Sequence, residues 1–216
     1  MGRRKKEPRS VHRAAIASAA ETLFFQKGIA NTSMDEIAKQ AGYSKATLYV
    51  YFKNKEEIVS ILVLESMKKL FSYLEDALKS KNYTYDKYIA LCNALLKYEQ
   101  EFPFYFHMVL DEINIDFENI DCMPEDKETF LIGEKVNKII EEFLISGIEA
   151  GELRKDLKIV PTIFSFWGMI SGLIELSTNK ENYINQTLHL SKTDFLNYGF
   201  DTLYHSIVAG GKNYEH

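Results

Sequence analysis

Cysteine is scarce in this chain: Cys92 and Cys122 are the two in 216 residues, and neither sits in a CxxC pair. That excludes a disulfide framework, leaves no zinc or dithiol motif, and fits a reducing cytoplasm. Four prolines and 11 glycines, with long stretches free of both, exclude the regular turn signals of an all-β sandwich or barrel and make helices the expectation. The longest charge-free run, Ile159 to Ile174, spans 16 residues and contains Pro161, Thr162, Ser165 and Ser171. It falls short of the roughly 20 apolar residues of a membrane span, so no membrane partner is expected. The apolar stretch Ala14 to Ala20 is interrupted by Ser18 and closed by Glu21, which does not read as a secretory signal. HExxH, GxSxG and a glycine-rich phosphate loop are all missing, so neither a nucleophile nor a cofactor is expected and an enzyme is the weaker reading.

What the chain has is ample apolar content, 46%, and an uneven distribution of charge. Residues 1 to 56 carry 11 Lys/Arg against 5 Asp/Glu, while the remainder carries 15 against 26. A basic N-terminal quarter joined to an acidic body is the footprint of a nucleic-acid module fused to something else.

The basic quarter reads as a helix-turn-helix. Ile16, Ala19, Ala20, Leu23 and Phe24 share one helical face between Ser10 and Lys27, and Gly28 supplies the stop. Ser33-Met34-Asp35-Glu36 is a capping box that starts a short second helix, ended by Gly42. Ser44 caps a third helix, Lys45 to Phe52, so Gly42-Tyr43-Ser44 is the tight turn. At 100° per residue Leu48 and Phe52 point inward, Lys45 and Tyr49 flank them, and Ala46, Thr47, Val50 and Tyr51 face outward. The N-terminal residues of such a helix meet base edges in the major groove, which suits Lys45, Ala46 and Thr47. Tyr49, Tyr51, Lys53 and Lys55 are in reach of phosphates, with packing between the third and fourth helices as the alternative role for Tyr49 and Tyr51. Arg3, Arg4, Lys5, Lys6 and Arg9 form a basic arm ahead of them.

The segment TSMDEIAKQAGYSKATLYVYFKNKEEI, Thr32 to Ile58, resembles the DNA-binding signature of TetR/AcrR transcriptional regulators. It departs by Ile58 for the usual leucine and by Ala46 where glycine or proline is common. The resemblance covers about a quarter of the chain and implies DNA-contact roles for Ser33, Ser44, Lys45, Ala46, Thr47, Tyr49, Val50, Tyr51 and Lys55. It also implies an all-α fold: a three-helix DNA-binding domain over residues 1–54 and a six-helix ligand-binding and dimerisation domain over 55–216. The expected partners are an operator in double-stranded DNA, a second copy of the chain, and a small apolar or aromatic effector.

In the acidic body, helices are expected at about 55 to 80, 84 to 101, 103 to 117, 127 to 150, 159 to 180 and 192 to 209, nine in all with the first three. Aromatic abundance suits an apolar pocket, with Tyr88, Leu95, Tyr98, Phe104, His107, Met108, Phe143 and Trp167 as candidate effector contacts. His107 and Asp111, four apart, with Cys92, Glu99 and Glu112 as possible neighbours, resemble metal ligands. A hydrogen-bonded pair or an effector anchor is the preferred reading, and no metal is expected. The helix from Ile159 has a wide apolar face with Gly168 and Gly172 beside it. Paired with the last helix it offers Phe166, Ile170, Leu173, Phe195, Tyr198 and Leu203 for a four-helix dimer contact.

Overall fold

A computed structural model describes residues 7–79, 81–110 and 123–210. Arg3, Arg4, Lys5, Lys6, Asp111, Glu112 and Cys122, named above, lie outside the described residues. The fold is all-α: an isolated bridge between Leu153 and Val208 is the one β contact among those residues.

The first three helices follow from their caps. Helix α1 (Arg9–Lys27) buries Ile16, Ala17, Ala20 and Phe24, and the chain leaves it through Gly28, whose φ of 83° disfavours any residue with a Cβ. Helix α2 (Met34–Gln40) opens on the expected capping box: the Glu36 amide donates to Ser33 Oγ, and the Ser33 amide donates to Glu36 Oε2 at 2.9 Å. Gly42, at φ 74°, turns the chain into α3 (Lys45–Tyr51), where Ser44 Oγ accepts from the Thr47 amide at 3.1 Å. Each such cap stabilises its helix by about 1 kcal/mol. Ile16, Phe24, Ile37, Leu48 and Phe52, all at 2% exposure or less, fill the space among the three helices.

Seven further helices follow: α4 (Lys55–Lys79), α5 (Thr84–Glu101), α6 (Pro103–Leu110), α7 (Pro124–Glu149), α8 (Ile159–Asn179), α9 (Glu181–Thr187) and α10 (Lys192–His205). Prolines stand at the first position of α6 and α7 and in the first turn of α8, where a missing amide hydrogen is harmless. Ten helices among the described residues correct the expected nine. The stretch from Asn179 to Asn185, expected as a break, is interrupted only at Lys180 and then coils into α9, because Ile184 is buried and anchors the extra turn. Helix α8 also outruns its charge-free core: as a 21-residue helix with mean hydropathy 1.6 it is long and apolar enough to cross a membrane by length and composition. One of its faces instead packs on α5, α9 and α10.

The chain divides into two compact units, Met1–Lys68 with Phe104–Leu131, and Lys69–Pro103 with Ile132–His216. These units are bounded differently from the 1–54 and 55–216 division that the resemblance implies. The first unit takes in α6 and the start of α7, because Phe104 packs on Phe24 (ring centroids 6.5 Å apart), Ser66 Oγ donates to the Tyr105 carbonyl at 3.0 Å and Arg13 pairs with Glu125. In the second unit α8 lies against α10 and α5, with Leu91, Cys92, Leu95, Ile170, Ile174, Leu196 and Phe200 buried among them. There the Arg154 amide donates to the Ile207 carbonyl and the Ala209 amide to Glu152, which ties the α7–α8 connection to the segment after α10.

Candidate functional site

On the first unit's surface, the N-terminal half of α3 lies open to solvent. Lys45 and Ala46 are exposed and Thr47 is half-buried, with its hydroxyl 2.8 Å from Ser44 Oγ. Val50 is 63% and Tyr49 45% exposed, so a tyrosine expected at the flank of the buried face stands in solvent. Lys45 does not project freely: its ammonium lies 2.8 Å from Asp35 Oδ1 and 3.0 Å from Oδ2, and the hydrogen bond to that carboxylate holds it more firmly protonated than usual. Ser33, also exposed, is occupied by its cap, and its partner Glu36 is lowered from 4.5 to about 2, first by the hydrogen bond from Lys27 and then by those from Ser33.

Two residues expected at the surface turn inward. Tyr51 is half-buried, its ring 5.1 Å from His12 and 6.2 Å from Tyr43, with the Arg9 guanidinium over it at 5.7 Å. Seven residues of helix carry it just far enough round to meet α1. Lys55 is half-buried as well: its ammonium donates to the carbonyls of Ile29, at 2.6 Å, and Thr32, at 3.0 Å, and so closes the loop between α1 and α2.

Sequence reasoning missed the groups that hold α3 from behind. Its last carbonyls have no partner within the helix. Arg9 donates to the Val50 carbonyl at 2.8 Å, and Arg13 donates to that of Tyr51 at 3.3 Å while stacking on Phe52 at 4.6 Å. The same Arg13 donates to Glu125 in the first turn of α7 at 2.7 Å. His12 Nδ1 sits 2.7 Å from the Tyr43 hydroxyl in the turn itself. The only signal for these roles is the spacing Arg9, His12, Arg13, which puts all three on one face of α1.

The second unit contains an apolar slot of about 50 Å³. Tyr88, Leu91 and Leu95 of α5, Phe143 of α7 and Phe166, Trp167 and Ile170 of α8 form most of its wall. Four expected effector contacts, Tyr88, Leu95, Phe143 and Trp167, therefore meet at one cavity. The other four do not line it. Tyr98 is fully buried beside Tyr73 and Phe102, and Phe104, His107 and Met108 belong to the first unit, where His107 is exposed. Phe166 and Ile170, expected at a dimer surface, face the slot instead, because the helical turn that exposes Phe164 rotates them inward. Leu173, Phe195 and Leu203 are half-buried, and Tyr198 is 72% exposed.

The slot holds little chemistry. Burial pushes the Tyr88 hydroxyl well above the usual phenol range, and it donates to the Phe200 carbonyl at 2.9 Å. Burial also pushes the Cys92 thiol up to about 12, so it stays protonated. Among the described residues no group of three or more His, Cys, Asp or Glu could hold a metal ion.

A three-helix unit whose second and third helices meet at a left-handed glycine, and whose third presents capped, exposed residues, defines a helix-turn-helix DNA-binding protein. Residues 16–60 match the model for bacterial regulatory proteins of the tetR family. The chain is 29% identical over 178 residues to the probable HTH-type transcriptional regulator YttP of Bacillus subtilis (strain 168), which covers 81% of either chain. It is 25% identical over 154 residues to the fatty acid metabolism regulator protein of the same organism, across 67% of this chain and 72% of that protein. The structure of the transcriptional regulator FadR from Bacillus subtilis in complex with stearoyl-CoA resembles this one with a TM-score of 0.64 and 21% identity, over 92% of this chain and 99% of the other. At that identity the likeness shows the fold.

Proposed function

We propose that this chain is a cytoplasmic, homodimeric transcriptional repressor. It reads a palindromic operator with α3 and leaves it when a small apolar molecule occupies the second unit. The observation that carries this reading is the open face of α3, with Lys45, Ala46, Thr47, Tyr49 and Val50 presented on a helix capped in front by Ser44 and behind by Arg9 and Arg13. Ala46 addresses base edges, Lys45 and Thr47 address base edges or phosphates, and Tyr49 addresses a phosphate. Arg3, Arg4 and Lys5 add contacts that carry no sequence information.

Dimerisation is supported by α8, of which 22% is buried despite its hydropathy. Val160, Phe164 and Leu176 of α8 stand 59%, 62% and 46% exposed, and Tyr198 of α10 is 72% exposed. A second copy would cover that face.

The effector reading is supported by the apolar slot and by the relatives named for fatty acid metabolism and for a stearoyl-CoA complex. At about 50 Å³ the slot must widen to admit a ligand, so occupancy shifts the second unit toward a conformation with separated walls. A coupling of about 1–3 kcal/mol between that state and release is enough for regulation.

The test is operator binding by fluorescence anisotropy on the DNA flanking the gene. Lys45→Ala and Thr47→Ala should each weaken binding about tenfold with unchanged circular dichroism. Full affinity in both would overturn the assignment of α3. Apolar and aromatic compounds should release the DNA.

The small slot also favours a second reading, in which the body serves dimerisation or a protein partner and takes no small molecule. Binding that no compound perturbs would support it.

A further inference from the structure

The slot shares a wall with an open groove. That groove, of about 310 Å³, is lined by Glu75, Leu78 and Lys79 of α4, Lys87 of α5, and Ile139, Glu142 and Phe143 of α7. On each of the three helices a neighbouring position faces the slot: Leu74 on α4, Tyr88 on α5, Ile140 on α7. Phe143, 6% exposed, is the residue common to both linings.

The charges around the groove are unequal in their freedom. Lys79 is held by Glu75 at 2.8 Å and Asp76 at 3.1 Å, and Glu142 lies 3.9 Å from Lys138. Lys87 has no ion pair with a described residue. The slot itself is lined by apolar and aromatic side chains, with the Thr162 hydroxyl and the Tyr88 hydroxyl, already bonded to Phe200, as its polar groups. An ionised group could not follow a ligand into it without losing its water for nothing in return.

We propose that the groove is the mouth of the slot, with Phe143 as its gate. Lys87 receives the anionic head of a single-chain amphiphile whose alkyl tail passes the gate and lies between α5, α7 and α8. This rests on the effector reading above and names its ligand class. A narrow space between packed helices widens more readily for a flexible chain than for a fused-ring body, because each methylene displaces few atoms. The head stays outside, at the edge of the groove, where the Lys87 ammonium has no ion pair with a described residue.

Trp167 is the chain's single tryptophan and lines the slot, so its fluorescence reports occupancy without DNA. The experiment titrates the full chain with laurate, lauroyl-CoA and uncharged dodecanol, all below micelle formation. It compares the wild type with Lys87→Glu and Phe143→Ala, whose folding is checked by thermal melting. Lys87→Glu should weaken laurate or lauroyl-CoA about tenfold and dodecanol less than about twofold. Which anionic ligand responds tells a carboxylate head from a phosphate-bearing one. An equal effect on all three, or none on any, overturns the role of Lys87. Phe143→Ala should speed dodecanol entry severalfold in stopped flow, and an unchanged rate overturns the gate. Silence of Trp167 toward every ligand in the wild type sinks the effector reading itself, an outcome separate from failure of the mouth.

Discussion

Lys45 offers the sharpest residue-level contrast between an inventory of charges and the charges available to DNA. Its ammonium is already bonded to both oxygens of Asp35, on an exposed surface where a phosphate can compete for it. Asp35→Asn should free it: affinity for any duplex should rise, and the slope of log affinity against log salt should steepen by about one. Anisotropy across a salt series measures both, and an unchanged slope would mean that Lys45 meets no phosphate. The basic composition of residues 1 to 56 was legible from the sequence, but the partner of each cation was not. Lys55 fits a phosphate-contact motif as well as it fits a lysine that bonds the Ile29 and Thr32 carbonyls, since the loop it closes is 23 or more residues away.

At the scale of elements, α1 is a bracket for the recognition helix. Arg9 and Arg13 place positive charge at the C-terminal carbonyls of α3, where the helix dipole favours it, and Arg13 adds a planar stack on Phe52 and a bond to Glu125. Arg13→Ala should therefore lower operator affinity about tenfold, beyond any change in melting temperature. Arg13→Lys, which keeps the charge and loses the fork, should recover part of that loss. A melting shift with unaltered DNA affinity would reduce Arg13 to a packing role. The caps of α2 and α3 were readable in advance because a cap is written within four residues. The bracket was not, since it joins residues about 40 positions apart. The same locality explains α9: nothing between Asn179 and Asn185 announces a helix until Ile184 finds a buried site.

For the whole molecule, the exposed apolar face of α8 is the proposed contact between two copies. Phe164→Glu puts a charge where an isologous partner would need an apolar surface. Sedimentation should then show a monomer, and operator affinity should fall by 100-fold or more, roughly the advantage of binding two half-sites together. A dimer that persists in Phe164→Glu would move the interface elsewhere. The face itself was visible as a wide apolar stripe, but its rotation was not. Phe166 and Ile170 turn toward the slot, while Val160 and Phe164 stay in solvent.

The sequence by itself determined the class of this protein. Local rules of capping, glycine conformation and helical periodicity act over a few residues, and they sufficed to place α1, α2 and α3 and to identify a helix-turn-helix in front of a helical body. Only the tertiary structure decided which of many aromatic side chains meet at the slot, that Phe143 lines both it and the groove, that Lys87 has no ion pair with a described residue, and that Tyr51 and Lys55 turn inward. Those facts depend on how helices far apart in sequence rotate about their axes as they pack. A rotation of one position, about 100°, exchanges a buried side chain for an exposed one while leaving the amphipathic pattern almost unaltered.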